Sequence, residues 1–381
     1  MKLYITNEVN NAFYNSQEIG MAKAITELNP THKVDIVLLA RGNKKSCEGA
    51  GKEADDSAGF HEKCIPVTDR ITLHIIPAKG IGHHGMIDLN LIDALKPDLL
   101  HILADNMLFA PNVINYCRRK GIKYHLYIGT LFTDSSKWYK KVANRLLLGR
   151  NIRAYRKSSV YVKTPAVQDQ CAELGIKAKL APVGMSAEDT ALSEKSVREI
   201  REKYALPQDK KILLFVGRLE EYKHPLEAVE LLKNLRSRDS YHLLVVGNGH
   251  LKDEINDLVS HYGLKSSFTH LLKVPNSEMK DLFKACDFYI NFNPDEIYGM
   301  AILEAMCHRC PVLAISAPGP KFLIGDGKTG FVCRNVEDMV KKVDLLTEDE
   351  RLYASIQDGG REKIFNELTW QTTVKKFDDI L

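Results

Sequence analysis

No uninterrupted apolar run in this chain reaches the length of about 20 residues that a bilayer-spanning helix needs. The N-terminal MKLYITNEV also lacks the longer hydrophobic region of a secretory signal. These two absences set the expectation of a cytoplasmic protein, or of one lying on a membrane from that side. Neither sign of charge dominates: 53 basic and 49 acidic residues leave +4, too little to mark a nucleic-acid partner. The eight cysteines are scattered, which excludes a disulfide scaffold and fits a reducing compartment. The one close pair, Cys307 and Cys310, has no second pair or histidine at zinc-finger spacing and reads as two small buried hydrophobes. Internal repeats and low-complexity segments are also missing.

What is present is a globular chain long enough for two cores, since 381 residues exceed the usual single-domain size of about 100 to 200. Short β-rich runs alternate with helix-length amphipathic stretches: KVDIVLLA (33–40), ITLHII (71–76), DLLHIL (98–103), KYHLYI (123–128) and SVYVK (159–163). After a charged helical segment the pattern restarts with KILLFV (211–216), YHLLVV (241–246), CDFYINF (286–292) and PVLAI (311–315). Near-continuous apolar strands separated by helices are the mark of parallel sheets covered on both faces. Two such series predict two doubly wound domains, 1–183 and 184–365. A final helix, 366–381, is expected to pack back on the first domain. Ligands of open parallel sheets bind beyond the carboxyl ends of the strands, so two such domains facing one another would enclose a cleft.

Those strand ends carry the chemistry in the second half. KILLFV runs into GRLEEYKHP, placing Gly217, Arg218 and Lys223 where close backbone approach and fixed positive charge suit a diphosphate. YHLLVV runs into VGNGH, which taken alone is an ordinary tight turn. CDFYINF leads into NPDEIYGMAILEAM, where Asn293 to Tyr298 form a loop and a helix starts near Met300. Free N–H groups at Gly299, Met300 and Ala301 would then form an anion site, with Glu296 before it and Glu304 about one turn inside. Two carboxylates flanking a phosphate site suit hydroxyl groups.

The combination G-R-L-x4-K (Gly217 to Lys223), V-G-x-G (Val246 to Gly249), E-x-Y-G-M-x3-E-A-M (Glu296 to Met306) and D-G-x-T-G-F (Asp326 to Phe331) resembles the retaining glycosyltransferase family 4. The resemblance covers about 205–345 and implies an α/β, GT-B fold of two Rossmann-like domains facing a central cleft. It further implies transfer of a hexose or derivative from a nucleoside diphosphate sugar, a UDP- or GDP-sugar, to a glycan or lipid-linked acceptor, as in bacterial surface polysaccharide assembly. Arg218 and Lys223 would meet the donor phosphates, Glu296 the transferred sugar and Glu304 the ribose, with Gly217, Asn293, Tyr298, Gly299, Met300 and Ala301 completing the donor site. No cofactor and no metal are expected. The chain has no Asp-x-Asp, and two cations with backbone N–H groups would do the work of Mg²⁺.

The first half departs from the family pattern. NNAFYNSQEIG (10–20) lacks the usual early Gly-Gly pair, and Ile128 stands where members often have a histidine; in the second half, Phe322 of APGPKFLI stands where the pattern usually has glutamate. His101, at a strand end, and Tyr127, Thr130 and Asp134 are the candidate acceptor contacts, against a reading as core or turn residues. The stretch 137–157 holds eight basic residues and no acid, interleaved with aromatic and aliphatic ones. It suits a helix on an anionic membrane surface, the alternative being a packed helix with a solvated outer face. Two rivals stay open: a catalytically silent GT-B subunit that binds donor or acceptor for a partner, and a same-fold nucleotide-sugar epimerase.

Overall fold

The structure is a computed structural model, and it describes residues 2–6, 17–40, 63–77, 79–81, 84–131, 138–378 and 380. It divides into two compact units, one formed by 1–184 with 370–381 and the other by 185–369.

The first unit is built on an eight-stranded sheet. Its strands run in the order Ala178–Leu180, Ser159–Val162, Lys123–Ile128, Leu99–Leu103, Lys2–Thr6, Val34–Ala40, Ile71–Pro77 and Lys63–Thr68. Every pairing is parallel except the last, where Lys63–Thr68 runs antiparallel beside Ile71–Pro77. Pro66 is tolerated there because the strand is an edge and one face of its ladder needs no donor. Leu100, Ile102, Leu126, Ile128, Val160 and Val162 point from one sheet face into a single core. The other face carries His101, His125, Tyr127 and Tyr161, and Phe377 from the terminal segment packs over them, its ring 4.5 Å from that of Tyr161 and 5.2 Å from His101.

The same segment is fixed at its start. The helix Trp370–Val374 packs on the helix Gln17–Leu28, where the Trp370 ring lies so close to Gly20 that a Cβ there would sit 2.2 Å from the indole nitrogen. Glycine in the middle of a helix costs about 1 kcal/mol relative to alanine, and here the ring contact explains it. The Thr373 hydroxyl donates to the Pro182 carbonyl at 2.7 Å.

The basic stretch forms the helix Trp138–Tyr155. Leu148, Ala154 and Tyr155 join the core, and the buried Asn151 amide donates to Asn106 Oδ1 and the Met107 carbonyl. Val142 and Leu146 stay outside, 50% and 73% exposed, with Arg145 and Arg153 also exposed.

The second unit holds a six-stranded, wholly parallel sheet in the order Phe268–Leu271, Tyr241–Val246, Lys211–Val216, Phe288–Asn291, Val312–Ile315 and Phe331–Cys333. Its central strands are buried on both faces, which is why their sequences read as unbroken apolar runs. No described helix is long and apolar enough to cross a membrane.

Candidate active site

The site is assembled at the carboxyl ends of the second sheet, where two neighbouring loops cross. Lys211–Val216 passes into Gly217, Arg218 and the buried Leu219, and Tyr241–Val246 passes into Gly247–Asn248–Gly249. Leu219 N–H donates to the Asn248 carbonyl and Leu251 N–H to the Leu219 carbonyl, stitching the loops together. A Cβ at Gly247 would lie 1.8 Å from the Gly217 carbonyl oxygen, and Gly247 also has φ +147°. Only glycine fits such a crossing. Beyond it a short 3₁₀ turn, Glu221–Lys223, brings the lysine side chain back beside Gly217, where a Cβ would lie 3.9 Å from Lys223 Cδ.

Lys223 meets Glu296 there. Its ammonium lies 2.7 Å from Glu296 Oε2, with both side chains largely shielded at 23% and 15% exposure. Asn293 Nδ2 donates to the same carboxylate oxygen at 3.3 Å. Glu296 is itself held by its backbone: its carbonyl accepts from Gly319 N–H at 2.7 Å. Gly319 is pressed so tightly on this loop that a Cβ would lie 2.4 Å from the Tyr298 carbonyl oxygen. Tyr298 is buried, and the ring of Phe322 lies 6.3 Å from its own. Phe322 therefore extends the apolar support behind the loop instead of offering a carboxylate to it.

Gly299 caps the helix Met300–Cys307 with φ 97°. Ile302 and Leu303 N–H turn back to the Gly299 carbonyl, while the N–H groups of Gly299, Met300 and Ala301 have no acceptor among the described residues. This is the open first turn of a helix, a place where an anion is stabilised. Arg218 is exposed, its guanidinium 5.3 Å from the Tyr222 ring centroid, and the Lys223 ammonium is 5.4 Å from the same ring. Tyr222 thus sits between the two cations, a part no sequence signal marked. One turn into the helix, burial and the Asp189 carboxylate push the Glu304 carboxyl up to about 7. Asp189 was equally invisible in the sequence, standing 115 positions before Glu304 in a polar stretch that reads as a linker.

The candidate acceptor residues lie in the first unit, and two of the four are corrected. His101 and Tyr127 are buried beneath Phe377, and the Tyr127 hydroxyl donates to the Ala181 carbonyl at 3.1 Å. Burial, aided by His125, lowers His101 to about 3 and keeps it neutral. Both serve packing, because their strand positions point to the face that the terminal segment covers. Thr130 is partly exposed beyond its strand, and Asp134 lies outside the described residues. Ile128 is fully buried in the core. Beside Thr130 the structure adds Asp105, which has a solvent-accessible side chain and whose Oδ1 accepts from Gly129 N–H at 2.5 Å and Thr130 N–H at 3.2 Å. Surrounding protein raises this carboxyl above its usual range, the two amides working against the rise.

Two parallel-stranded Rossmann-like units, one with cations and an open helix N-terminus at its strand ends, define an α/β protein of the GT-B glycosyltransferase architecture. Residues 196–363, most of the second unit, match the family described as glycosyl transferases group 1. An uncharacterized glycosyltransferase of Methanocaldococcus jannaschii is 24% identical over 190 residues, which cover 49% of either chain. A D-inositol 3-phosphate glycosyltransferase of Stackebrandtia nassauensis is 27% identical over 217 residues, 54% of this chain and 48% of that one. The chain spans about half the length of the curated relatives it matches. Among solved structures, Anabaena HepE in complex with UDP has a TM-score of 0.75 at 14% identity, covering 98% of this chain and 97% of that one. A glycosyltransferase of Rickettsia africae has 0.72 at 18% identity, covering 98% and 96%.

Proposed function

We propose that the protein is a retaining glycosyltransferase that moves a hexose or derivative from a nucleoside diphosphate sugar to a glycan or lipid-linked acceptor in glycoconjugate assembly. The observation that carries this reading is the Lys223–Glu296 pair beside the open helix N-terminus at Gly299, Met300 and Ala301. A diphosphate arriving at those amides competes for the Lys223 ammonium. Glu296, released from its cation, then accepts hydroxyls of the sugar, while Glu304 accepts those of the ribose. As the sugar departs, negative charge grows on the β-phosphate, and Arg218, Lys223 and the helix N-terminus stabilise it without a resident metal. UDP is the first base to test, since HepE is described in complexes with UDP and with UDP-glucose.

On this reading the first unit receives the acceptor, with Thr130 among its contacts. The exposed Val142 and Leu146, flanked by Arg145 and Arg153, suit docking of the Trp138–Tyr155 helix on an anionic membrane surface. A silent subunit is the second reading, favoured by the buried Ile128 in the slot where the resembled family often has a histidine. The two are separated by turnover. Thermal shift and nucleotide release are measured with a panel of UDP- and GDP-sugars. Arg218→Ala is expected to reduce release roughly 100-fold, the usual effect of deleting one transition-state donor. Stabilisation by no nucleotide sugar would end the transferase reading; binding without release in the presence of acceptor extracts would leave the silent subunit.

A further inference from the structure

A second constellation lies at the far edge of the first sheet and has no part in the reading above. On the antiparallel edge pair, Cys64 stands directly opposite His74. On the next pair His74 is in register with Val37, so Asp35, two residues earlier on the same strand face, is its diagonal neighbour. The side chains meet accordingly. Cys64 Sγ is 3.3 Å from His74 Nδ1, and His74 Nε2 is 2.9 Å from Asp35 Oδ1. His74 and Asp35 are buried, whereas Cys64 is exposed.

The arrangement is directional. A carboxylate only accepts, so Asp35 fixes the ring proton on Nε2 and leaves the Nδ1 lone pair facing the thiol. An imidazole so oriented stands within hydrogen-bond reach of the S–H proton, with its other nitrogen fixed by the carboxylate behind it. The cysteine and the aspartate use opposite ring nitrogens, so one metal ion cannot gather all three. As packing, a buried Asp–His pair is poor value against apolar residues of the same volume, because both groups lose their hydration. The other described cysteines are of a different kind: all six are buried, and burial pushes Cys171 to about 11 and Cys117, Cys307 and Cys333 to about 12.

We propose that Cys64 is an activated nucleophilic thiol, with His74 as its proton acceptor and Asp35 as the group that orients His74, and that it forms reversible mixed disulfides with low-molecular-weight disulfides. In the step, the Cys64 proton passes to His74 Nδ1 and the thiolate attacks one sulfur of R–S–S–R. The Cys64–S–S–R bond forms as the S–S bond of the small disulfide breaks, and the departing R–S⁻ takes the proton back from His74. Nothing beyond the three residues and the disulfide is required.

The test uses the full chain. Iodoacetamide is added at pH 6.5 together with N-acetylcysteine as an internal reference, and alkylation of each cysteine peptide is followed by mass spectrometry. Cys64 is expected to react at least tenfold faster than the reference. His74→Asn should bring it to the reference rate, and Asp35→Asn should lower it part of the way. The wild-type ratio stands without either variant, so misfolding of a variant leaves the test intact: a Cys64 no faster than N-acetylcysteine overturns the proposal. Oxidised glutathione should then add one glutathionyl group at Cys64, removable by dithiothreitol, before it labels Cys47, which lies outside the described residues. No adduct, or equal labelling of both cysteines, overturns the disulfide chemistry.

Discussion

Glu304 shows how much a single side chain can reveal about a site through its proton. Burial and Asp189 hold its carboxyl near 7, against 4.5 for an ordinary glutamate. On the proposed reading a ribose hydroxyl would donate to the ionised form, so UDP affinity should rise with pH up to about 7 and level off above it. The check is isothermal titration of wild type and Glu304→Gln between pH 5.5 and 8.5. The ratio of the two affinities cancels titration of the nucleotide itself and should rise with pH. A flat ratio removes Glu304 from the ribose. The sign for the empty protein is opposite: because the folded pKa is raised, stability is lost as pH rises from about 4.5 to about 7, and bound nucleotide offsets part of that loss. At the same scale, Gly319→Ala puts a methyl group against the Tyr298 carbonyl and must shift the loop that holds Glu296. The expected result is a loss of about 1 to 3 kcal/mol in stability and a weaker UDP thermal shift, read in one melting series.

Among the elements, those that the sequence announced are the ones buried on both faces. KILLFV, YHLLVV and KYHLYI read as strands and are strands with the same bounds. Ala178–Leu180 and Phe331–Cys333 did not stand out, being three residues long, and neither did Phe268–Leu271, whose FTHL is only partly buried. Lys63–Thr68 was hidden for another reason, since an edge strand with a proline and an exposed face has no apolar run to display. The strand ends and the helix start that carry the residues proposed for the donor side were legible, because local sequence marks them. The Lys223–Glu296 contact was not, because nothing local couples residues 73 apart. His101 and Tyr127 were misread by the same logic: their strand was visible, but the covering face comes from Phe377, more than two hundred residues later. The Trp138–Tyr155 helix carries its own prediction. Flotation with anionic vesicles should exceed that with neutral ones, and Leu146→Glu should abolish the difference; equal failure to float on both rejects membrane docking.

At the scale of the whole molecule, the chain leaves the first unit after Gly184 and re-enters it at Trp370. Phe377 is the clearest test of that return. Phe377→Ala opens a cavity over His101, His125 and Tyr161 and should cost about 3 to 5 kcal/mol. Hydrogen exchange gives the expected map: faster exchange in Leu99–Leu103, Lys123–Ile128 and Ser159–Val162, and no change in Lys211–Val216. Equal loosening of both sheets would show that the terminal segment does not belong to one unit alone.

The return of the chain also sets an order of manufacture. A ribosome releases residues in sequence, and domains ordinarily complete from the N-terminal side first. Of these two units, the one begun earlier is finished later. Residues 185–369 can close their core while the earlier sheet still waits for Trp370 and Phe377, its histidine and tyrosine face open to whatever the nascent chain meets.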